Sequence, residues 1–213
     1  MYNKNNLQAV NFCSKPNSGR QELSGVLFTK DKTFATDSFS LLEIKNTITD
    51  KALEDYPIIP DVKPMDGQLA NAGVIVPQEV IKDIKLPKNS NLPILNNCIF
   101  TGKNNPDFID ITTTDLNTAK TLKTRAISGT FPDYKNLIPT LEDINANGKT
   151  VIISIEILKK MATALDKMDG IELKAVTMSI MGEHEPVIFK AKAKDASGYD
   201  QDITGLIMPM KKE

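Results

Sequence analysis

Short apolar runs alternate along the chain with polar stretches rich in Asn, Asp, Lys and Pro, and the spacing inside each run indicates its element. Leu7 and Val10 lie three apart with Phe12 nearby, which predicts a short helix over 4–13. Strands are expected at 23–30 (LSGVLFTK), 33–37 (TFATD) and 40–45 (SLLEIK), the first two separated by a Lys30-Asp31-Lys32 turn. Residues 46–73 read as a long irregular connection punctuated by Pro57, Pro60, Pro64 and Gly67. A gap of that length inside a compact domain is either functional or disordered.

Order resumes at Val74-Ile75-Val76, and Pro77 stands where a helix tolerates proline, at its first position. A helix over 77–86 would bury Val80, Ile81 and Ile84 and turn Lys82 and Lys85 outward, with Pro87 as its stop. Strands follow at 93–100, 107–113 and 118–127; Asp110 alternates with Ile109 and Ile111, as on a sheet with one wet face. The last third repeats this order. A strand at 149–154 (KTVIIS) leads into a helix at 155–168 with Ile155, Leu158, Ala162, Leu165 and Met168 on one stripe, then strands at 171–180, 186–193 and 202–210. The chain therefore reads as about three similar units, each a helix followed by short strands, without a residue-level repeat to match.

Composition narrows the function classes. With 213 residues, 40% hydrophobic and 25% charged, the chain suits one large or two small globular domains. Aromatics make up 6% with no Trp, so Ile, Leu, Val and Met must build the core. Twenty-six basic against 27 acidic side chains, a net charge of −1, excludes a grip on nucleic acid by bulk charge but leaves room for a basic patch. Cys13 and Cys98 form neither a disulfide framework nor a metal spacing, and read as reduced thiols. The first residues lack the apolar stretch of a secretion signal, and no run approaches the roughly 18–20 apolar residues of a membrane span. The expected setting is cytoplasmic.

Catalytic chemistry finds little footing. His184, the only histidine, sits in Gly182-Glu183-His184-Glu185, a polar hairpin tip. A catalytic triad or histidine metal site would rest on it alone. Asp107, Asp110 and Asp115 diverge along a strand and read as solvated charges, and no phosphate-loop, dinucleotide or nucleophile-elbow motif occurs. No enzyme activity, metal or cofactor is expected. Lysines dominate the outer faces of the two best helices, where solubility and contact with duplex phosphates both remain open.

Several segments together resemble one family. Leu23-Ser24-Gly25-Val26-Leu27-Phe28, followed by Phe34-Ala35-Thr36-Asp37-Ser38-Phe39-Ser40-Leu41, is similar to a paired-strand signature of the bacterial sliding clamp, the beta subunit of DNA polymerase III. Val74-Ile75-Val76-Pro77 resembles the head of a helix in that family's middle domain. Gly129-Thr130-Phe131-Pro132-Asp133-Tyr134, running on to Ile138-Pro139, and Leu206-Ile207-Met208-Pro209-Met210-Lys211 resemble two further family motifs in the same order. Ser38 replaces the family's usual glycine, and Phe39-Ser40 replace a polar-Arg pair.

The resemblance implies an α+β DNA clamp fold of repeated helix-plus-antiparallel-strands units. Residues 1–139 would correspond to the middle domain and 140–213 to the second half of the third. It implies a polymerase processivity factor or clamp-derived adaptor that binds short linear motifs of replication and repair proteins in a hydrophobic cleft. Matching wall residues are Leu23, Thr36, Phe39, Leu41, Pro132, Leu137, Leu206, Met208, Pro209 and Met210. Lys82, Lys85, Lys159 and Lys160 would face duplex DNA without sequence specificity, in a homo-oligomeric ring. Family rings contain twelve units, so four chains of three would close one. The alternative is a peptide-binding decoy or regulator that never encircles DNA.

Overall fold

A computed structural model describes residues 1–46, 56–60, 62, 73–88, 91–102, 107–134, 138, 142, 144, 146, 148–167, 171–194 and 200–210. They divide into two compact units, Met1–Pro132 and Asp133–Glu213.

Unit 1 is two repeats that exchange a strand. The first comprises β1 (Tyr2–Asn3), helix α1 (Lys4–Leu7), β2 (Gly25–Phe28), β3 (Lys32–Thr36) and β4 (Leu41–Lys45). The second comprises β5 (Val74–Pro77), helix α2 (Gln78–Asp83), β6 (Asn97–Thr101), β7 (Phe108–Thr114) and β8 (Ala119–Arg125). The sheet orders are β4-β3-β2-β5 and β1-β6-β7-β8, so each pre-helix strand completes the other repeat's sheet. Val76 stands opposite Val26 and Val74 opposite Phe28, while Tyr2 stands opposite Cys98. Neither repeat closes its own sheet, and the exchange makes them one folding unit.

The core follows from that exchange. Alternation points Val26, Phe28 and Ala35 of one sheet and Cys98, Phe100, Ile109 and Ile111 of the other into a single cluster, with Leu7 and Ile81 of the helices between them. The rings of Tyr2, Phe28 and Phe100 lie with every pair of centroids 4.7 Å apart. Aromatic pairs at such spacings add about 0.5–1.5 kcal/mol each beyond their area. Three aromatics concentrated at one point thus offset the low aromatic content. Most of the 46–73 connection lies outside the described residues, but Tyr56 within it is buried and its hydroxyl donates to the Asn97 carbonyl at 3.2 Å.

The helices of unit 1 are shorter than the spacing predicts. Over 4–13, α1 gives way after Leu7 to a 3-10 turn at Gln8–Phe12; Asn3 and Asn6 form a capping box at its start. Helix α2 stops at Asp83 because Ile84 turns extended, ψ 116°, and Pro87 has no N–H to offer the Asp83 carbonyl. Residues 93–96 form a 3-10 turn rather than the start of a strand.

The described residues of unit 2 include a long helix and a three-stranded sheet. Helix α3 (Ile155–Asp166) is capped by the Ser154 hydroxyl, which accepts from Ile157 N at 3.4 Å. Strands β9 (Thr177–Ile180), β10 (Val187–Lys194) and β11 (Asp200–Ile207) lie in the order β11-β10-β9. Among the described residues the predicted strand at 149–154 joins no ladder, and Met210 N donates to Ile152 O at 2.7 Å. Residues 172–174 form a 3-10 turn where a strand was expected. The core is Val187, Phe189 and Ile207, with Val151, Ile153, Met161 and Ile180 packed on it.

The docking face of α3 also differs from the predicted stripe. Met161 packs over Gly205, where a Cβ would come within 2.7 Å of its methyl carbon, so the missing side chain is the seat of the helix. Ile155, placed on the stripe, is 81% exposed, and Ala162 is exposed too. Met168 lies outside the described residues.

Candidate functional site

The first group of predicted wall residues gathers on one face of unit 1. Thr36 ends β3 opposite Leu41 at the start of β4, and both share a face with Phe34. The Phe34 ring lies 6.5 Å from that of Phe131, which brings the neighbouring Pro132 to this side of the sheet. The preceding stretch is held in place by Ile127 N, which donates to Ile75 O at 2.9 Å along the edge of β5. Gly25 makes the approach possible: a Cβ there would meet Val76 O at 2.6 Å and the Ile127 side chain at 2.8 Å. Leu23 sits in a 3-10 turn beneath this surface and is buried, and Leu137 lies outside the described residues.

Phe39 stands at the tip of the β3–β4 turn and is 98% exposed. The turn is built around Asp37, whose carboxylate accepts from Phe39 N (2.9 Å), Ser40 N (2.6 Å) and Ser40 Oγ (2.9 Å). The Ser40 and Phe39 amides hold that carboxyl below its usual value. Thr36 Oγ1 donates to Ser40 O at 2.7 Å and accepts from Ser38 N at 3.2 Å. Ser38, standing where glycine is usual in the similar family, adopts φ +78°.

The second repeat builds the same turn. Thr114 Oγ1 donates to Thr118 O, Asp115 accepts from Asn117 N, Thr118 N and Thr118 Oγ1, and Leu116 takes φ +76°. The shared signature, Thr-Asp-x-x-Ser/Thr, is a residue-level repeat that hydrophobic patterning passes over.

In unit 2, Leu206, Met208 and Met210 are 58%, 56% and 52% exposed, while Ile207 between them is buried. Strand β11 ends at Ile207, so Met208, Pro209 and Met210 continue beyond the ladder. The alternation persists, nonetheless, because Met210 N is tied to Ile152 O. Leu206 and the two polarizable methionines thus leave three apolar side chains exposed in succession.

The predicted DNA-facing lysines occupy different elements. Lys82 lies in the last turn of α2, its Nζ donating to Gln78 Oε1 at 2.9 Å, while Lys85 falls beyond the helix end. Lys159 and Lys160 are exposed on α3. A concavity of about 830 Å³ opens beside α2, with Leu7, Val10, Ile81 and Ile84 below and Lys4, Lys82 and Lys88 around it. Lys4 and Lys88 escaped sequence reasoning because they belong to no periodic face.

The remaining titratable groups are engaged individually. Asp107 pairs with Arg125 at 3.7 Å and Asp110 with Lys123 at 3.8 Å, while His184 lies exposed in a turn. Burial pushes the Cys98 and Cys13 thiols up to about 12, which keeps both protonated in the neutral range. No described helix is long and apolar enough to cross a membrane.

Comparison with known proteins separates fold from sequence. No family model matches the chain, and no curated protein does. A solved DNA polymerase sliding clamp from Pseudomonas aeruginosa superposes with TM-score 0.57 at 14% identity, covering 99% of this chain and 51% of that one. The chain has the sliding-clamp fold. A C. crescentus beta sliding clamp, with polyethylene glycol bound to its putative beta-motif tethering region, matches with TM-score 0.54 at 15% identity over 97% of this chain and 49% of that chain. A further P. aeruginosa clamp, bound to griselimycin, gives TM-score 0.56 at 14% identity over 96% and 48%. The chain spans about half the length of the solved clamps it matches.

Proposed function

We propose that the chain is a non-catalytic, clamp-type replication factor in the cytoplasm that captures short hydrophobic motifs of polymerases or repair proteins. The clamp fold over almost the whole chain carries the reading. Supporting it, apolar groups are presented at Phe39 and along Leu206, Met208 and Met210. Residues 1–139 act as the middle-domain equivalent and 140–213 as half of the third; the motif-binding residues are Leu23, Thr36, Phe39, Leu41, Pro132 and Leu137 of the first and Leu206, Met208, Pro209 and Met210 of the second.

Met210→Ala tests this assignment directly. It should weaken binding of a labelled Gln-Leu-Ser-Leu-Phe peptide by about 1–3 kcal/mol in fluorescence anisotropy. Because Met210 is half exposed, thermal stability should change far less than for a core truncation. Equal binding by wild type and variant, or none by either, would remove the cleft. A ring of four chains would place Lys82, Lys85, Lys159 and Lys160 near duplex phosphates. Its affinity should then fall with salt by a slope of about −0.9 per phosphate contact. Peptide binding without measurable affinity for duplex DNA at low salt would identify the chain as a decoy instead.

A further inference from the structure

The strand exchange inside unit 1 is left half-finished in unit 2. In unit 1, β5 uses both of its edges: one pairs with β2, and on the other Ile75 O accepts from Ile127 N at 2.9 Å. Val151-Ile152-Ile153-Ser154 stands in the same relation to its helix. Ile152, like Ile75, lies three residues ahead of the first helical position, and its carbonyl accepts from Met210 N at 2.7 Å. Val151 and Ile153 pack on the core as Val74 and Val76 do. Among the described residues, however, no strand pairs with the segment's second edge.

The acceptor is open as well. Strand β9 is the counterpart of β2, and it pairs with β10 on one side only. Met178 and Ile180 stand opposite Phe189 and Val187, on the side of the sheet that carries the core. Met178 is nevertheless 52% exposed. Thr177-Met178-Ser179-Ile180 holds no Lys and no Pro, the residues that usually blunt a free edge, and neither it nor 151–154 carries a charge that would repel a partner. On α3, Ile155, Ile157 and Leu158 are left exposed, whereas Leu7 and Ile81 of α1 and α2 share one core.

Among the described residues, unit 2 thus carries one unused donor strand and one unused acceptor edge, the two halves that unit 1 satisfies between its repeats. A second copy of this chain supplies both complements at once through a single twofold axis. We propose that two copies of the chain pair through unit 2 by reciprocal strand addition, residues 151–154 of each completing the sheet of the other along β9. The β2–β5 register transposes directly: Met178 faces Ile153 of the partner subunit, and Ile180 faces Val151 of the partner subunit. The proposal stands apart from the peptide cleft, and either can fail without the other.

Two measurements on the full chain decide it. The double variant Met178→Cys with Ile153→Cys, mildly oxidised, should give a covalent dimer on a non-reducing gel, since directly opposed residues bring their Cβ atoms within about 4.5–5.5 Å. A mixture of the two single variants should give the same product, and neither single variant alone should. Separately, Met178→Asp should raise the dimer dissociation constant at least about tenfold by sedimentation equilibrium, a loss of about 1.4 kcal/mol, with an unchanged circular dichroism spectrum. Phe108→Ser, at an exposed position of unit 1, should leave the dimer intact. A wild-type chain that stays monomeric into the high micromolar range overturns the proposal. So does an oxidised product of monomer mass, which would place 151–154 on β9 of its own chain.

Discussion

Unit 1 and unit 2 use the same building block and reach different degrees of closure. In unit 1 two sheets share one core, sealed by Tyr2, Phe28 and Phe100. Among the described residues of unit 2, helix α3, with no buried residue, rests on one sheet whose buried cluster is Val187, Phe189 and Ile207. The difference teaches that the repeat is not self-sufficient. A helix and three strands leave half of their apolar surface facing outward until a second set arrives.

The comparison can be broken most forcefully at the aromatic centre. Phe28→Ala should cost about 3–5 kcal/mol in urea unfolding, because it empties a site bounded by both sheets. Leu158→Ala on the exposed side of α3 should cost under about 1 kcal/mol for the isolated chain. Comparable losses at both sites would mean that unit 2 is as closed as unit 1.

Glycine replacement gives an intermediate contrast. Gly25→Ala drives a methyl group against the Val76 carbonyl and the packed Ile75 and Ile127 side chains, and should cost about 3 kcal/mol. Gly205→Ala meets only the flexible end of Met161, which can swing aside, and should cost about 1 kcal/mol. Thermal denaturation of both variants checks the order.

The smallest effect belongs to the twin turns. Ser38→Gly and Leu116→Gly should each stabilise unit 1 by roughly 0.5–1 kcal/mol, since an L-residue at positive φ carries a steric cost that glycine avoids. Asp37 and Asp115, both held below the usual carboxylate value by turn amides, contribute stability that is present above the unfolded value and lost as pH falls through the folded one. Asp37→Asn should therefore lower stability in the neutral region and flatten the acid limb of a pH titration of stability, the variant and the wild type converging below the folded carboxyl value.

Legibility in the sequence followed the reach of each interaction. Strands whose partners lie within one hairpin, such as β3 with β4 and β10 with β11, were readable to within a few residues because alternation and turn act locally. Strand β1, two residues long, escaped notice because its partner β6 is remote in sequence. Residues 149–154 have a strand's pattern but, among the described residues of unit 2, no strand to pair with, so alternation alone overstated them. The stripe on α3 was misplaced because its docking point is set by an absent side chain, Gly205, which no helical periodicity reports. For the proposed peptide site, family resemblance selected Leu206, Met208 and Met210, whose exposure alternates with buried Ile207. It also selected Leu23, which is buried, because an apolar position in a motif looks the same whether its side chain packs inward or lies at the surface. The turn residues Asp37 and Asp115 were hidden by their polarity.

The pairing of Tyr2 with Cys98 also sets a timetable for synthesis, since Cys98 Sγ donates to Tyr2 O across 96 residues of chain. At about 5–20 residues per second, β1 must wait on the order of 5–20 s from its own emergence before β6 exists to receive it. Throughout that interval Phe28 lacks Phe100, its aromatic neighbour from the second repeat, and until Pro77 has been added the first sheet lacks β5 as well. The nascent chain is therefore most dependent on chaperones before residue 101 clears the ribosome. A cluster of slow codons immediately after β6 would give the exchange time to finish, whereas the same cluster ahead of it would only prolong the exposure.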